Sequence, residues 1–316
     1  MASTMSTSPS PNVGTAGGVL GSADGDFMMT IPPGVLAPGY NLGILESGGA
    51  PSGAPALPAS TEAVSQYFDL IGYAMSGQQV ATIAFSPTWV GNVPADRLSV
   101  YSWAGGAAWQ FQPTAVLATS GEVQVDVSGP DTLVVLINRT AFSDVPSGYW
   151  ATGAIDQVVA TGVMNGVGGG LFAPDQIVTR AQFAKLLALS LGLPPSAAPA
   201  TYTDVAAGAW YAPYVASVAQ AGLMTGVTAT TFAPDQPVTR EEMAVLITRA
   251  MKLQPTGGLG YSDATKVDSW ATSGVVAASS SGYMTGYPDG TFQPLATVTR
   301  AQAAAVAARL IVHQAP

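Results

Sequence analysis

Two different periodicities divide this chain. From Trp150 onward, apolar residues return every three or four positions, at Ala151, Ala154, Ile155, Val158 and Val159. That spacing lays one apolar stripe along a helix. Gly162 falls where a glycine would end the helix in a left-handed turn. A glycine-rich loop runs from Gly166 to Phe172, and Pro174 blocks helix beyond it. A second helix is predicted to open at Thr179, because Thr179-Arg180-Ala181-Gln182 fits a capping box with a hydroxyl at the N-cap and Gln at N3. Its buried positions are Phe183, Leu186 and Leu187.

The same signals then return twice. Phe142-Ser143-Asp144-Val145, Trp150, Gly162, Gly166, Phe172-Ala173-Pro174-Asp175 and Val178-Thr179-Arg180 have counterparts at Tyr202-Thr203-Asp204-Val205, Trp210, Gly222, Gly226, Phe232-Ala233-Pro234-Asp235 and Val238-Thr239-Arg240. The third set is Tyr261-Ser262-Asp263, Trp270, Gly282, Gly286, Phe292-Gln293-Pro294 and Val298-Thr299-Arg300. The Trp, Gly, Phe and Arg landmarks recur at a spacing of 60 residues. Each unit therefore reads as helix, glycine-rich loop, helix. A single helical hairpin cannot bury its own stripe, so the three are expected to close around a shared core.

Before Phe142 the pattern is of period two or continuously apolar. Strands are predicted at Phe27–Ile31, Gln66–Tyr73, Gln79–Phe85, Leu98–Trp103, Glu122–Val127 and Thr132–Ile137. The segments 99–103 and 122–127 alternate, whereas 132–137 reads as a strand buried on both faces. Turn residues such as Ala104-Gly105-Gly106 and Ser128-Gly129-Pro130 separate them. Residues 1–23 and 47–61 are rich in Gly, Ser, Ala and Pro and are expected to be flexible. The fold class is thus α+β and multidomain. A flexible arm at 1–23 leads to an antiparallel β-sandwich at 24–140, then to helical repeats at 141–200, 201–259 and 260–316.

Composition narrows the function. Charged residues are only 9% of the 316, and the net charge is −9. An acidic balance excludes nucleic acid, whose phosphates need a basic surface. Residues 1–140 carry nine acidic groups against Arg97 and Arg139, while residues 141–316 carry ten against eight, so the basic groups concentrate in the repeats. Without cysteine there is no disulfide and no thiolate chemistry. His313 is the sole histidine, and Pro288-Asp289-Gly290 lacks the alternating oxygen ligands of a calcium loop. No metal or other cofactor is expected, and no nucleophile–base pair is visible. Neither a signal peptide in the opening residues nor an apolar run long enough to span a membrane is seen.

The triplet resembles the S-layer homology repeats of bacterial surface proteins. The resemblance rests on Phe142-x-Asp144-Val145, Trp150-Ala151, Gly162, Gly166, Phe172-x-Pro174 and Thr179-Arg180-Ala181-Gln182 with their counterparts, and on Gly286-Tyr287-Pro288-Asp289-Gly290-Thr291-Phe292. Residues 24–140 resemble, more loosely, the β-sandwich module that often precedes such repeats, through Asp96-Arg97-Leu98-Ser99-Val100-Tyr101, Trp109 and Thr132-Leu133-Val134-Val135. The resemblance implies a pseudo-threefold helical spindle, extracellular at the cell wall or in an S-layer, whose inter-repeat grooves bind a pyruvylated secondary cell-wall polymer. Its third repeat departs most, with Ala303 in place of Phe183 and Met243, serines at 279–281 and one extra residue between Asp263 and Trp270. That groove is expected to be the weakest.

Against this background the recurring polar residues acquire candidate roles. Arg180, Arg240 and Arg300 stand in the first turn of a helix, where a cation opposes the helix dipole. A guanidinium beside exposed helix N–H groups would make an anion site suited to a carboxylate such as a pyruvate ketal. Alternatively each Arg forms a salt bridge to Asp144, Asp204 or Asp263, and the Asp orients it. Trp150, Trp210 and Trp270 either stack on sugar rings or anchor the core. Gly166, Gly226 and Gly286 either admit a ligand against the backbone or supply a turn with positive φ. The expected protein is a non-enzymatic, wall-anchored surface protein. The competing reading is a self-assembling S-layer or filament subunit, a homo-oligomer joined through the N-terminal arm and the β-domain.

Overall fold

The computed structural model describes residues 13–58, 60–72, 75–85, 90, 97–117, 119–129, 131–197 and 201–314, those at 313 and 314 by backbone only. Residues 1–12 of the expected arm, Tyr73, Asp96, Pro130 and the His313 side chain lie outside that description. The chain divides into two compact units. One holds residues up to 141 with 156–162 and those from 311; the other holds 142–155 with 163–310.

The first unit is a sandwich of two antiparallel sheets. Strands β1 (Gly18–Gly21), β2 (Phe27–Ile31), β6 (Gln79–Ala84), β10 (Glu122–Val127) and β9 (Thr114–Leu117) form one sheet in that spatial order. Strands β3 (Leu42–Ser47), β5 (Tyr67–Gly72), β11 (Thr132–Asn138), β7 (Leu98–Trp103) and β8 (Gln110–Gln112) form the other, and β4 (Thr61–Ala63) also pairs with β11. Phe27, Met29, Ile83, Val123 and Val125 from the first sheet meet Phe68, Leu70, Val100, Leu133 and Val135 from the second in one core.

Two sequence expectations change here. Residues 18–21 belong to a sheet, not to a flexible arm: Leu20 is fully buried and faces Met29 of β2. In the stretch 47–61, Ala54 and Leu57 pack on a second apolar cluster of Tyr67, Tyr101, Trp109, Val134 and Leu136. The Trp109 indole donates to the Pro55 carbonyl at 3.0 Å. This cover explains why β7, expected to alternate, is buried on both faces over most of its length. β10 does alternate, and β11 is buried throughout, as their patterns foretell.

The second unit contains the repeats. Their helices are α1 (Thr152–Ala160), α2 (Arg180–Ser190), α3 (Ala212–Gln220), α4 (Arg240–Ala250), α5 (Thr272–Ser280) and α6 (Arg300–Gln314), of which residues 156–160 and 311–314 count with the first unit. The capping boxes form at Thr179 and Thr239, and Thr299 with Gln302 repeats the pair of bonds at 3.3 Å. Phe183, Leu186 and Leu187, then Met243, Leu246 and Ile247, then Ala303, Val306 and Ala307 are all buried. The extra residue of the third repeat is taken up by a 3-10 turn at Ala264–Lys266.

The repeats close into a ring through backbone hydrogen bonds. Val178 donates to Val298 at 2.9 Å, Val298 to Val238 at 2.8 Å, and Val238 to Val178 at 3.1 Å. The threefold relation expected from the repeats is therefore cyclic and complete.

One local conformation departs from the repeat. After α2 the left-handed position is Gly192, but after α4 it is Lys252, at φ 51. A side chain there costs about 1 kcal/mol relative to glycine. Lys252→Gly should therefore stabilise the chain by roughly that amount, raising its melting temperature; an unchanged or lower melting temperature would contradict the assignment.

Candidate functional site

Each repeat loop is organised on one phenylalanine. Phe172, Phe232 and Phe292 have no exposed surface. Each ring packs on the aromatic that opens its own repeat, Phe142, Tyr202 or Tyr261, at centroid distances of 5.4, 5.4 and 5.2 Å. The aspartate two residues after that aromatic clasps the loop. Asp144 accepts from the Phe172 amide at 2.9 Å and the Ala173 amide at 2.7 Å. Asp204 does the same with Phe232 and Ala233, and Asp263 with Phe292 and Gln293. Ala173, Ala233 and Gln293 all sit at φ between 56 and 59. The carboxylate thus offsets a left-handed conformation that costs about 1–2 kcal/mol outside glycine.

The arginines reach across to the next repeat. Arg180 donates from Nε to the Phe232 carbonyl at 2.9 Å and from Nη2 to that of Thr225 at 2.7 Å. Arg240 holds Phe292 and Thr285, and Arg300 holds Phe172 and Asn165, with distances of 2.7–2.9 Å. Each guanidinium also lies over the phenylalanine ring, 4.5–4.9 Å from its centroid. Among the described residues no ion pair joins these arginines to Asp144, Asp204 or Asp263, so the salt-bridge alternative fails. Backbone carbonyls, not carboxylates, answer the cation in the first helical turn.

The first amides of these helices are also engaged. Arg180 and Ala181 donate to Gln236 and Pro234, Arg240 and Glu241 to Ala296 and Pro294, Arg300 and Ala301 to Gln176 and Pro174. The exposed N–H groups expected beside each guanidinium are therefore spent on the adjoining repeat. Each guanidinium nonetheless keeps three of its five N–H donors beyond the two used.

The glycines do not supply the expected turn with positive φ. Gly166, Gly226 and Gly286 are absent from the left-handed region. A Cβ on Gly166 would lie 2.6 Å from Phe142 Cε1, one on Gly226 2.6 Å from Tyr202 Cε1, and one on Gly286 2.7 Å from the Thr291 carbonyl. They are glycines because the opening aromatic and the loop carbonyls leave no room for a Cβ. The tryptophans are not core anchors: Trp150, Trp210 and Trp270 are 62%, 56% and 56% exposed.

One open groove, with a cavity of about 200 Å³, gathers several of these groups. Arg300, Gln182, Lys185, Asn165 and Trp210 line it over a floor of Val163, Met164 and Leu186. The Lys185 ammonium stands 5.9 Å from the Trp210 ring centroid and 5.6 Å from that of Tyr214. All three repeats contribute, which repetition along the sequence does not reveal. Lys185 escaped the sequence reading because it occurs in one repeat only; its counterparts are Val245 and Ala305. A cation at a position that is otherwise apolar was the signal available. No group of acidic or histidine side chains suited to a metal occurs among the described residues.

Residues 141–184, 201–244 and 260–304 each match the family model described as S-layer homology domain. The chain carries three S-layer homology domains. It is 34% identical over 169 residues to the Surface-layer 125 kDa protein of Lysinibacillus sphaericus, covering 52% of this chain and 14% of that protein. It is 30% identical over 151 residues to a Cellulosome-anchoring protein of Acetivibrio thermocellus, covering 45% and 34%. An Amylopullulanase of Thermoanaerobacterium thermosulfurigenes is 26% identical over 204 residues, covering 63% and 11%. The chain thus spans about a third or less of each of these relatives. The domain type and the surface-layer relatives indicate the cell surface or cell wall as its location. No described helix is long and apolar enough to cross a membrane.

Two predictions follow from the clasp and the ring of this S-layer homology triplet. Partial burial pushes the Asp144, Asp204 and Asp263 carboxyls up, but their backbone donors outweigh it and hold all three below the usual carboxylate range. Groups depressed in the folded state contribute stability above their unfolded pKa of about 4, and that stability is lost as pH falls through the folded values. Thermal stability should therefore change little through these groups from pH 7 to 5 and drop below 4; Asp204→Asn should flatten that drop. Arg240→Gln, which strands the buried Phe292 carbonyl, should destabilise by about 3 kcal/mol in urea unfolding. A loss below about 1 kcal/mol would show that the ring does not depend on it.

Proposed function

We propose that the chain is a non-enzymatic surface protein held non-covalently to the cell wall by its S-layer homology triplet, which binds an anionic wall polysaccharide. The observation that carries this reading is the joint placement of Lys185, Arg300 and exposed Trp210 on one groove. Two cations suit a carboxylate, and an indole face suits the apolar side of a sugar ring. A pyruvate ketal, which puts a carboxylate directly on a pyranose ring, supplies both features within one residue. Asn165 and Gln182 add amide groups at the rim for sugar hydroxyls.

The relatives support the anchoring part. A Cellulosome-anchoring protein, a Surface-layer 125 kDa protein and an Amylopullulanase each match about half or more of this chain's length, at 45%, 52% and 63%. A module shared among proteins with such different names fits attachment better than any one of their activities. The β-sandwich then acts as cargo or spacer.

The test is co-sedimentation with purified wall sacculi before and after mild-acid removal of ketal pyruvate. Removal should weaken binding at least tenfold, and the residual affinity should fall further with salt. Equal binding to both preparations would eliminate the ketal, and no binding to intact sacculi would eliminate the anchor.

A further inference from the structure

Cyclic closure makes three equivalent grooves by construction, so their differences can be compared position by position. Each groove takes its arginine from the preceding repeat in the ring. Arg300 serves the groove along α2, Arg180 the one along α4, and Arg240 the one along α6, as their carbonyl partners Asn165, Thr225 and Thr285 show. The degenerate third repeat thus gives its arginine to the groove of the first. Its own shortcomings fall elsewhere.

The three are chemically unlike. Along α2 the groove is open: Arg300 is partly exposed where Arg180 and Arg240 are buried, and Lys185 adds a second cation. The side chain at the corresponding loop position is Val167, half exposed and turned to solvent. Along α4 the position of Lys185 is Val245, packed against Gly274 where no further side chain fits. Gln182 becomes Glu242, whose carboxylate lies close enough to act electrostatically on Arg180, a buried group. An entering anion would meet a cation already offset by a carboxylate. Along α6 the lysine position is Ala305, and Tyr287 replaces the valine. The Tyr287 ring lies over Arg240 at 4.7 Å, and its hydroxyl accepts from the Gln302 amide at 2.8 Å. Arg240 therefore lies between two aromatic rings, those of Tyr287 and Phe292, and is 5% exposed.

We infer that this triplet binds one carboxylated sugar per chain, in the groove along α2, with Lys185 as the residue that selects it and Tyr287 as the residue that closes its counterpart along α6. This deepens the wall-anchor reading and rests on it. A single site has a consequence for attachment: a chain with one site gains no avidity from its own repeats. Wall retention then depends on the affinity of that one groove or on several chains acting together.

The experiment is isothermal titration of the full chain with a synthetic 4,6-O-pyruvylated hexosamine glycoside, its unpyruvylated parent serving as the neutral arm. The expected result is one site per chain for the ketal and at least tenfold weaker binding of the parent. Lys185→Ala should weaken binding about tenfold with little change in melting temperature. Among the described residues Lys185 makes no hydrogen bond or ion pair and has only the two ring contacts, at 5.9 and 5.6 Å. The double variant Tyr287→Val with Ala305→Lys, which copies the first groove into the third, should raise the stoichiometry to two. A wild-type stoichiometry of two or three, or full affinity in Lys185→Ala, would overturn the single-groove assignment. A double variant that stays at one site would overturn the role given to Tyr287 and position 305. Co-sedimentation of the same proteins with intact sacculi separates the two levels. Wild type that fails to bind sacculi refutes anchoring itself, whereas sacculus binding equal in wild type and Lys185→Ala refutes only the single groove.

Discussion

The helical unit depends on a guanidinium that crosses from one repeat to the next. It bonds the carbonyl of a buried phenylalanine, lies over that residue's ring and is repeated three times around a closed circle. A planar group with fixed donors is needed, because the same face must meet a carbonyl edge and an aromatic surface together. Lysine offers a single ammonium on a flexible stem and would satisfy one of these at a time. The unfavourable position at a helix start is accepted because neighbouring carbonyls, drawn in by the same geometry, supply the compensating negative dipoles.

Around that contact the remaining landmarks follow in order. The phenylalanine presents its carbonyl to the guanidinium, the next residue is left-handed, and the aspartate clamps both amides. The opening aromatic must cover the phenylalanine, and the glycine six residues after the helix end leaves it room. The recurring Phe, Asp, Gly and Arg landmarks thus form one continuous packing unit. The repeats differ most at positions outside this unit, among them 185 and 167 with their counterparts.

Much of this architecture was legible beforehand because it has local causes. Capping boxes, the C′ glycines at 162, 222 and 282 and the apolar stripes each act within a few residues, and β2, β7 and β10 lie within the bounds their patterns set. The strands that escaped notice are short or interrupted by glycine, such as Gly18–Gly21 and Gln110–Gln112, and take their structure from neighbouring strands rather than from their own sequence. The cross-repeat bonds were hidden for a different reason. Their acceptors are backbone carbonyls, which every residue possesses, so no residue type marks them. The exposure of the tryptophans was open to either reading, since an aromatic at a helix start looks the same whether it faces inward or out.

The ring is built from three similar junctions, but the chain reaches them by unequal routes. Arg180 and Arg240 meet their phenylalanines across 52 residues of sequence, whereas Arg300 meets Phe172 across 128. The longer loop costs roughly 0.8 kcal/mol more in closure entropy. The junction between the last repeat and the first is thus the seam of the ring, the one closed over the longest stretch of chain. A circular permutant cut between two repeats would move that seam without altering a single contact, and with it the place where the ring opens first.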